Sequence, residues 1–368
     1  MQILFGFSFV FLSIRFLVTL ANFITRPVLR KQKQDSNVLV SILIPARNEE
    51  STIGNLLKSI QLQDYQNYEV IVLDDSSSDD TLDVVEKYCH LDQRFKVIQG
   101  LPLPVDWLGK NWACHQLSQK ASGAYFLFMD ADVTIDSGFI NSCVVNAQQN
   151  KLALFSVFPH QYMVSEGEKI VVPIMHYLLL TLLPLRLILL GKQPSLAAAN
   201  GQCMLFEGEI YNKYLFHEKV KRVVTEDIRI MQLVKGLGLK GNTQSADSLI
   251  HCRMYQNYSE GIQGFSKNIL AGFAGSALFL MVYLFFTFFV YFFPSYWQMG
   301  EATTIATIFM IIAMKIFLSI LSGQPILPNL YYHPLQMATI VWVGGLSIYK
   351  KTTKTNTWKG RTIPTESA

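Results

Sequence analysis

Residues 38–44 read VLVSILI, an almost unbroken apolar run that is rich in β-branched side chains. Such a run is typical of a strand that is buried on both faces, as in a parallel sheet. Helical and strand-like patterns alternate after it, with helices at 49–61, 80–89 and 110–121 and strands at 69–73, 95–98 and 124–129. This order predicts an α/β fold, an open parallel sheet of Rossmann-like type, in which ligands bind beyond the carboxyl ends of the strands.

The composition indicates contact with a membrane. Of the 368 residues, 50% are hydrophobic and only 16% are charged, whereas soluble proteins carry about 25% charged residues. A net charge of +4 is too small to indicate a nucleic-acid partner. The five cysteines are scattered without a CxxC pair, which argues against a zinc or redox motif and fits reduced thiols.

The apolar residues concentrate in four stretches that are each about as long as a membrane span, at 3–24, 269–293, 303–322 and 329–349. The uncharged stretch 269–293 gives the strongest signal. Arg15 and Lys315 each add roughly 3 kcal/mol to the cost of insertion, which six to eight leucines or phenylalanines offset. We interpret 3–24 as an uncleaved anchor, because its apolar run exceeds that of a signal peptide and Arg15 lies in its middle.

The basic residues predict which parts face the cytoplasm. Arg26, Arg30, Lys31 and Lys33 follow the first stretch and place the next residues on the cytoplasmic side. The tail is also basic, with Lys350, Lys351, Lys354, Lys359 and Arg361. Three spans after a cytoplasmic domain would leave this tail outside, so we expect one of the last two apolar stretches to be re-entrant. The sequence therefore predicts a multi-pass protein of the cell membrane with a cytoplasmic α/β domain.

The stretch 170–190 is apolar but contains Pro173, Pro184, His176 and Arg186. It favours an interfacial or buried segment over a membrane span. The expected domain organisation is an anchor at 1–25, an α/β domain at 36–262 that includes the 170–190 segment, a transmembrane or re-entrant region at 265–349, and a basic tail at 350–368.

Two pairs of carboxylates follow predicted strands. Asp74 and Asp75 end one strand and lead into SSSDDT at 76–81, which could bind a nucleoside or simply cap the next helix. Asp130 and Asp132 follow the strand at 124–129. Carboxylate oxygens suit Mg²⁺ or Mn²⁺, although a solvated turn would show the same residues.

A third acidic segment, TED at 225–227, precedes a helical pattern at 228–235. Its carboxylates could serve as a general base, or they could only complement the dipole of the helix N-terminus. This segment alone does not decide between the two interpretations.

Together the three acidic segments, in this order, resemble the family-2 glycosyltransferases, which are inverting enzymes of the GT-A fold. The resemblance rests on SILIPARNEE at 41–50, VLDDSSSD at 72–79, DAD at 130–132 and TED at 225–227. WLGKNWA at 107–113 resembles a segment of membrane-bound lipid glycosyltransferases. RMY at 253–255, GFSKN at 264–268 and WKGR at 358–361 are similar to the bacterial carotenoid-acid (diaponeurosporenoate) glycosyltransferase group.

The resemblance implies a pocket for a UDP-sugar donor. Asp75 and Asp74 would hold the uracil or ribose. Pro45, Arg47 and Glu49 would line the same pocket.

The resemblance also implies roles in catalysis. Asp132, with Asp130, would bind Mg²⁺ or Mn²⁺ on the pyrophosphate, and Lys110 would contact a phosphate. Asp227 would be the catalytic base. A metal-bound diphosphate is a good leaving group, so a single base suffices for the transfer. The acceptor is expected to be a hydrophobic lipid or a carotenoid.

One departure and two alternatives remain. The QxxRW motif of processive members is absent, and QGFSK at 263–267 stands near its place, which argues against a polymer synthase. A polyprenyl-phosphate sugar transferase is one alternative, favoured by Arg222, Arg229 and Arg253. A non-catalytic membrane scaffold is the other, although Asp75, Asp132 and Asp227 argue against it.

Overall fold

The computed structural model describes residues 2–32, 36–246, 248–292, 300–353, 357–358 and 361–362. Lys33, Phe293, Lys354, Lys359 and most of the predicted basic tail lie outside these ranges. The chain forms two compact units. One, the α/β unit, comprises residues 27–160 and 185–253, and the other, the helical unit, comprises 1–26, 161–184 and 254–368.

The strands, in chain order, are β1 (Val40–Ala46), β2 (Tyr68–Asp74), β3 (Phe95–Gln99), β4 (Tyr125–Met129), β5 (Val133–Ile135), β6 (Leu154–Phe158), β7 (His160–Gln161), β8 (Cys203–Glu207), β9 (Gly241–Ser245), β10 (Ile250–Cys252), β11 (Thr357–Trp358) and β12 (Arg361–Thr362).

The helices, in chain order, are α1 (Gln2–Thr25), α2 (Ile53–Gln61), α3 (Thr81–Leu91), α4 (Gly109–Ser118), α5 (Phe139–Asn150), α6 (Glu166–Val171), α7 (Pro173–Leu182), α8 (Arg186–Leu190), α9 (Gly208–Tyr214), α10 (Phe216–Lys219), α11 (Glu226–Gly236), α12 (Tyr258–Asn268), α13 (Ala277–Phe292), α14 (Glu301–Ser322), α15 (Ile326–Tyr331) and α16 (His333–Thr353).

The core of the α/β unit is a sheet with the strand order β3-β2-β1-β4-β8-β6-β9. Strand β1 pairs in parallel with β2 and β4, and its side chains Val40, Ile42, Leu43 and Ile44 are fully buried, as the run at 38–44 predicts. The sheet is mostly parallel, and the predicted α/β class is confirmed. Strand β8 differs from the prediction, because it runs antiparallel to both β4 and β6.

The strand register explains why the acidic segments meet. Ala46 at the end of β1 is paired with Asp74 at the end of β2, and β4 runs parallel to β1. The residues after β1, β2 and β4 therefore leave the sheet at one edge. Because β8 is antiparallel and begins with Cys203 opposite Met129, residues 200–202 arrive at the same edge from the other direction.

Two helices of the helical unit are long and apolar enough to cross a membrane, Ile3–Thr25 and Glu301–Ser322. The stretch 269–293, which gave the strongest sequence signal for a span, is instead interrupted. A 3₁₀ turn at Ala271–Phe273 precedes α13, and it is followed by Gly275, whose φ is 70°. Within the described residues α13 covers Ala277–Phe292, and it is not among the helices of these ranges that are long and apolar enough to cross a membrane.

Proline residues divide two further apolar stretches, 170–190 and 329–349. The stretch 170–190 falls into short helices, because Pro173 starts α7 and Pro184 follows its end. Helix α15 ends at Tyr331 and α16 begins at His333, so the apolar stretch 329–349 is divided next to Pro334. Pro334 is tolerated there because it lies in the first turn of α16.

Candidate active site

Lys110 lies at the centre of an ion-pair network at the edge of the sheet. Its Nζ is 2.8 Å from Asp130 Oδ1 and 3.2 Å from Glu226 Oε1, and it also donates to the carbonyl oxygen of Gly201 at 3.3 Å. Burial alone would lower the pKa of Lys110, but the two carboxylates outweigh this and hold its pKa well above the usual range. The network therefore fixes a positive charge beside Asp130.

Asp227 is held by two backbone amides. Its Oδ2 accepts from the Gly201 N–H at 3.0 Å, and its Oδ1 accepts from the Ile228 N–H at 2.8 Å. Burial, with a further contribution from the negative charge of Glu226, raises the pKa of Asp227 to about 7. A carboxylate with a pKa near the working pH has the protonation behaviour that a general base requires.

Gly201 joins these two parts of the site. A Cβ atom built on Gly201 would lie 3.0 Å from both Lys110 Nζ and Glu226 Oε1, tighter than most side-chain contacts. The absence of a side chain at this position therefore lets the loop before β8 approach the ion-pair network.

Asp132 is held separately, by one side chain from the loop before β8 and one from β10. Gln202 Nε2 donates to both Asp132 oxygens, at 3.3 and 3.4 Å, and Cys252 Sγ lies 3.7 Å from Oδ2. Burial raises the pKa of Asp132 to about 6, and repulsion from Asp130 and Glu49 adds to the rise. The influence of Glu49 links the loop after β1 to this part of the site.

The loops after β1 and β2 form a second group of polar residues. Arg47 Nη1 lies 3.4 Å from Asp75 Oδ2 and donates to its carbonyl oxygen at 3.2 Å. Asp74 is buried, and its carboxylate accepts from the Ser77 N–H. Pro45 lies within β1, and Glu49 accepts from the Thr52 hydroxyl at 2.9 Å.

A cavity of about 350 Å³ opens beside this group. Its lining includes Asp74, Ser76, Ser77, Gln99 and Gly100. The lining is rich in hydrogen-bonding groups, as a site for a polar ligand requires.

Asp130 and Asp132 together fit a divalent cation. Their oxygens are ligands that Mg²⁺ and Mn²⁺ prefer, and a cation would offset the repulsion that raises the pKa of Asp132. Within the described ranges, no group of three or more His, Cys, Asp or Glu side chains is arranged to hold a metal. Such a sparse set suits Mg²⁺, which usually combines one or two carboxylates with the phosphates of a substrate.

The structure thus brings Lys110, Asp130 and Asp227 together through Gly201 and Glu226. Gln202 and Cys252 were not identified from the sequence as site residues. Their roles follow from the antiparallel pairing of β8 and from β10, and neither left a recognisable motif. Lys110, expected at a phosphate, is paired with carboxylates in this structure.

Comparison with known proteins shows which family the α/β unit is similar to. Residues 41–215 match the model of the family "Glycosyl transferase family 2". The chain therefore carries a segment that matches glycosyltransferase family 2, here called the family-2 domain. The family-2 domain covers β1, β2 and β4 with the loops that follow them, and hence Asp74, Asp75, Lys110, Asp130 and Asp132.

Curated relatives come from several bacteria. The chain is 23% identical over 246 residues to a 4,4'-diaponeurosporenoate glycosyltransferase of Staphylococcus haemolyticus, covering 66% of this chain and 64% of that one. It is 35% identical over 125 residues to the protein of the same name from Staphylococcus aureus, covering 33% and 32%. A third relative is the GalNAc(5)-diNAcBac-PP-undecaprenol beta-1,3-glucosyltransferase of Campylobacter jejuni, 31% identical over 116 residues, covering 32% and 37%. The matches thus span less than two thirds of each of these relatives.

One solved structure supports the fold. The mannosyltransferase PcManGT from Pyrobaculum calidifontis, in complex with GDP-Man and Mn²⁺, matches with a TM-score of 0.57 and 14% identity. The match covers 96% of this chain and 100% of that chain. At this identity the match shows a shared GT-A fold.

Proposed function

We propose that the protein is an inverting, metal-dependent hexosyltransferase that moves a sugar, such as glucose, from a UDP-sugar to a hydrophobic membrane acceptor. The acceptor would be a carotenoid acid or another lipid. The observation that carries the proposal is the position of Asp227, held by Gly201 beside the Lys110–Asp130–Glu226 network with a pKa of about 7.

In this proposal the edge of the sheet binds the donor. Asp74 and Asp75 hold the uracil or ribose, beside the cavity after β2, with Arg47, Glu49 and Pro45 around them. Asp130 and Asp132 would hold Mg²⁺ or Mn²⁺, which when bound neutralises the charge that develops on the diphosphate leaving group. Lys110 keeps a positive charge beside Asp130, and thereby adds to the electrostatic attraction for the donor phosphates.

Asp227 accepts the proton of the acceptor group. At pH values above about 7 its carboxylate is mostly ionised and can take a proton from a hydroxyl or carboxyl group. An apolar acid that is bound away from water keeps its own proton more readily, because burial disfavours the charged form. A base therefore contributes to transfer onto either kind of acceptor.

The relatives and the helices support a membrane acceptor. Two curated relatives are named for a carotenoid acid and one for an undecaprenol-linked glycan. Two helices of the chain are long enough to cross a bilayer. We propose a multi-pass protein whose α/β unit faces the cytoplasm, where nucleotide sugars are present.

A transfer assay tests this proposal. The full chain, in an uncharged detergent with Mn²⁺ and UDP-glucose, should release UDP when a membrane lipid extract is added, and mass spectrometry should find a hexosylated lipid. A water-soluble oligosaccharide at the same concentration is the matched control and should give little product. Equal rates on the two acceptors would refute the membrane acceptor, and no UDP release with any acceptor would favour the scaffold alternative.

The same assay addresses the polyprenyl-phosphate alternative. Of the arginines that favoured it, Arg222 is exposed and lies 3.6 Å from Asp106 Oδ2, and Arg229 donates to Gln232. Neither contact involves the residues of the candidate site. A product that is a sugar phosphodiester of a polyprenol would nevertheless replace our proposal with this one.

A further inference from the structure

Two cations are buried within the helical unit. Arg15 of α1 and Lys315 of α14 each expose only 2% of their surface. Both face the ring of Tyr177, with Arg15 Cζ at 4.6 Å and Lys315 Nζ at 5.4 Å from its centroid. Arg15 also lies 5.1 Å from the centroid of Tyr283. One small aromatic region therefore holds two basic side chains.

These cations have no carboxylate partner among the residues that the structure describes. The helices that surround them, α1, α7, α13, α14 and α16, contain a single acidic residue, Glu301, which is exposed. Arg15 Nη2 donates to the Thr181 hydroxyl at 2.9 Å. Its Nε and Nη1 atoms are buried and meet no acceptor within the described ranges.

His333 adds two more polar atoms to the same region. Its ring lies 5.9 Å from that of Tyr177, and both of its nitrogens are buried without a hydrogen-bond partner in the described part of the chain. Aromatic rings attract a cation through their faces, but they do not satisfy N–H donors that are shielded from water. Basic side chains in an apolar environment are costly unless a partner of opposite charge is present.

We propose that Arg15, Lys315 and His333, here called the basic cluster, bind the single anionic group of an apolar molecule, a carboxylate or a phosphate. A planar guanidinium with two buried nitrogens that meet no acceptor in the described ranges suits both of these anions. The outer faces of α1 and α14 expose Ile14, Leu17 and Ile308, so an amphiphile dissolved in the bilayer fits this environment better than a small hydrophilic ion. The proposal concerns binding alone and does not depend on the transfer reaction.

Ligand-induced stabilisation of the full chain in an uncharged detergent at pH 8 tests the proposal. The probes are oleate, oleyl alcohol and acetate, which separate the contributions of the charge and the apolar chain. Because a ligand that binds the folded state raises its melting temperature, oleate should stabilise the protein at concentrations at least tenfold lower than either of the others. Equal potency of oleate and oleyl alcohol would overturn the proposal.

Two variants locate the effect. Lys315→Met and Arg15→Met should each reduce the preference for oleate over oleyl alcohol at least fivefold, whereas the exposed Lys351→Met should leave it unchanged. If Arg15→Met does not fold, Lys315→Met decides alone. A preference that survives in every folded cluster variant would contradict the assignment.

Bilayer lipid is the other possible source of the anion. In nanodiscs, a cluster-dependent stabilisation by phosphatidylglycerol over phosphatidylcholine that oleate does not displace would assign the site to a membrane lipid. Displacement by oleate would assign it to a free acid. Both outcomes support the anion site, and the absence of any cluster-dependent preference among these lipids and oleate would refute it.

Discussion

The two units of the protein accommodate buried charge in different ways. In the α/β unit, Lys110 is neutralised by Asp130 and Glu226, which come from distant parts of the sequence to one edge of the sheet. In the helical unit, Arg15 and Lys315 lie against aromatic rings with no acidic side chain on the surrounding helices except the exposed Glu301. The comparison indicates that the α/β unit provides its own counter-charges, whereas the helical unit is built for one that is supplied from outside.

The largest expected effect on donor binding comes from Asp132→Ala. Loss of outer partners of a metal typically costs roughly 10–100-fold in affinity, and loss of a direct carboxylate ligand should cost at least as much, so Mn²⁺-dependent UDP binding should weaken by about 100-fold or more. Calorimetric titration of UDP with Mn²⁺ measures it. Asp136→Ala is the control. This exposed aspartate follows β5, which Asp132 precedes, and it pairs with His251. If the two variants bound UDP with equal affinity in the presence of Mn²⁺, Asp132 would not be a ligand of the metal.

Lys110→Met tests whether the ion-pair network tunes the base. Lys110 lowers the pKa of Asp227 and opposes the effect of Glu226, so its loss should move the rising limb of the pH–rate profile to higher pH. Turnover at pH 7 should fall by about fivefold, because a rise of roughly one pKa unit lowers the ionised fraction of the base from about one half to about one tenth. Lys120→Met, at an exposed position, should keep the wild-type profile. If the pH–rate profile of Lys110→Met were unshifted, the ion-pair network would not influence the pKa of Asp227.

Two adjacent glycines of α16 test packing in the helical unit. A Cβ atom on Gly344 would lie 2.6 Å from Leu284, whereas one on Gly345 would meet nothing within 4 Å. Gly344→Ala should therefore destabilise the protein by about 1–3 kcal/mol. Gly345→Ala should be neutral or stabilise it by up to about 1 kcal/mol through helix propensity. Melting temperatures in one detergent compare the two, and the reverse order would contradict the packing of α13 against α16.

A further expected effect is a change in how stability depends on pH. Because the folded protein raises the pKa of Asp227 from its ordinary value near 3.8 to about 7, wild type should lose stability as the pH rises between these two values. Asp227→Asn cannot ionise, so its melting temperature should fall less from pH 4 to pH 8 than that of wild type. Parallel curves for the two proteins would show that the pKa of Asp227 is not raised by folding.

Part of this account could be read from the sequence. The apolar run at 38–44 and the alternation after it predicted the sheet, because burial on both faces leaves a distinct pattern. The acidic segments at 74–75, 130–132 and 225–227 predicted which residues lie at the edge of the sheet or close to it. Local pattern sufficed here because each segment follows a strand or starts a helix.

Three features of the structure could not be predicted from the sequence. The antiparallel direction of β8 depends on long-range pairing, so the contributions of Gly201 and Gln202 were not foreseen. Hydropathy ranked 269–293 first as a span, but the turn at Gly275 shortens the helix, and composition does not record such a turn. The proximity of Arg15, Lys315 and His333 depends on how three helices pack, which no single segment encodes.

The central claim is that Asp227 is the catalytic base, and Asp227→Asn tests it most directly. The variant keeps the size of the side chain and removes its ability to accept a proton. UDP binding in the presence of Mn²⁺ should stay within a few-fold of wild type, while transfer to the lipid acceptor slows by roughly 10²–10⁴, the usual contribution of a positioned general base. Normal turnover would contradict the account and direct attention to Glu226, and loss of UDP binding would place Asp227 in the nucleotide pocket instead.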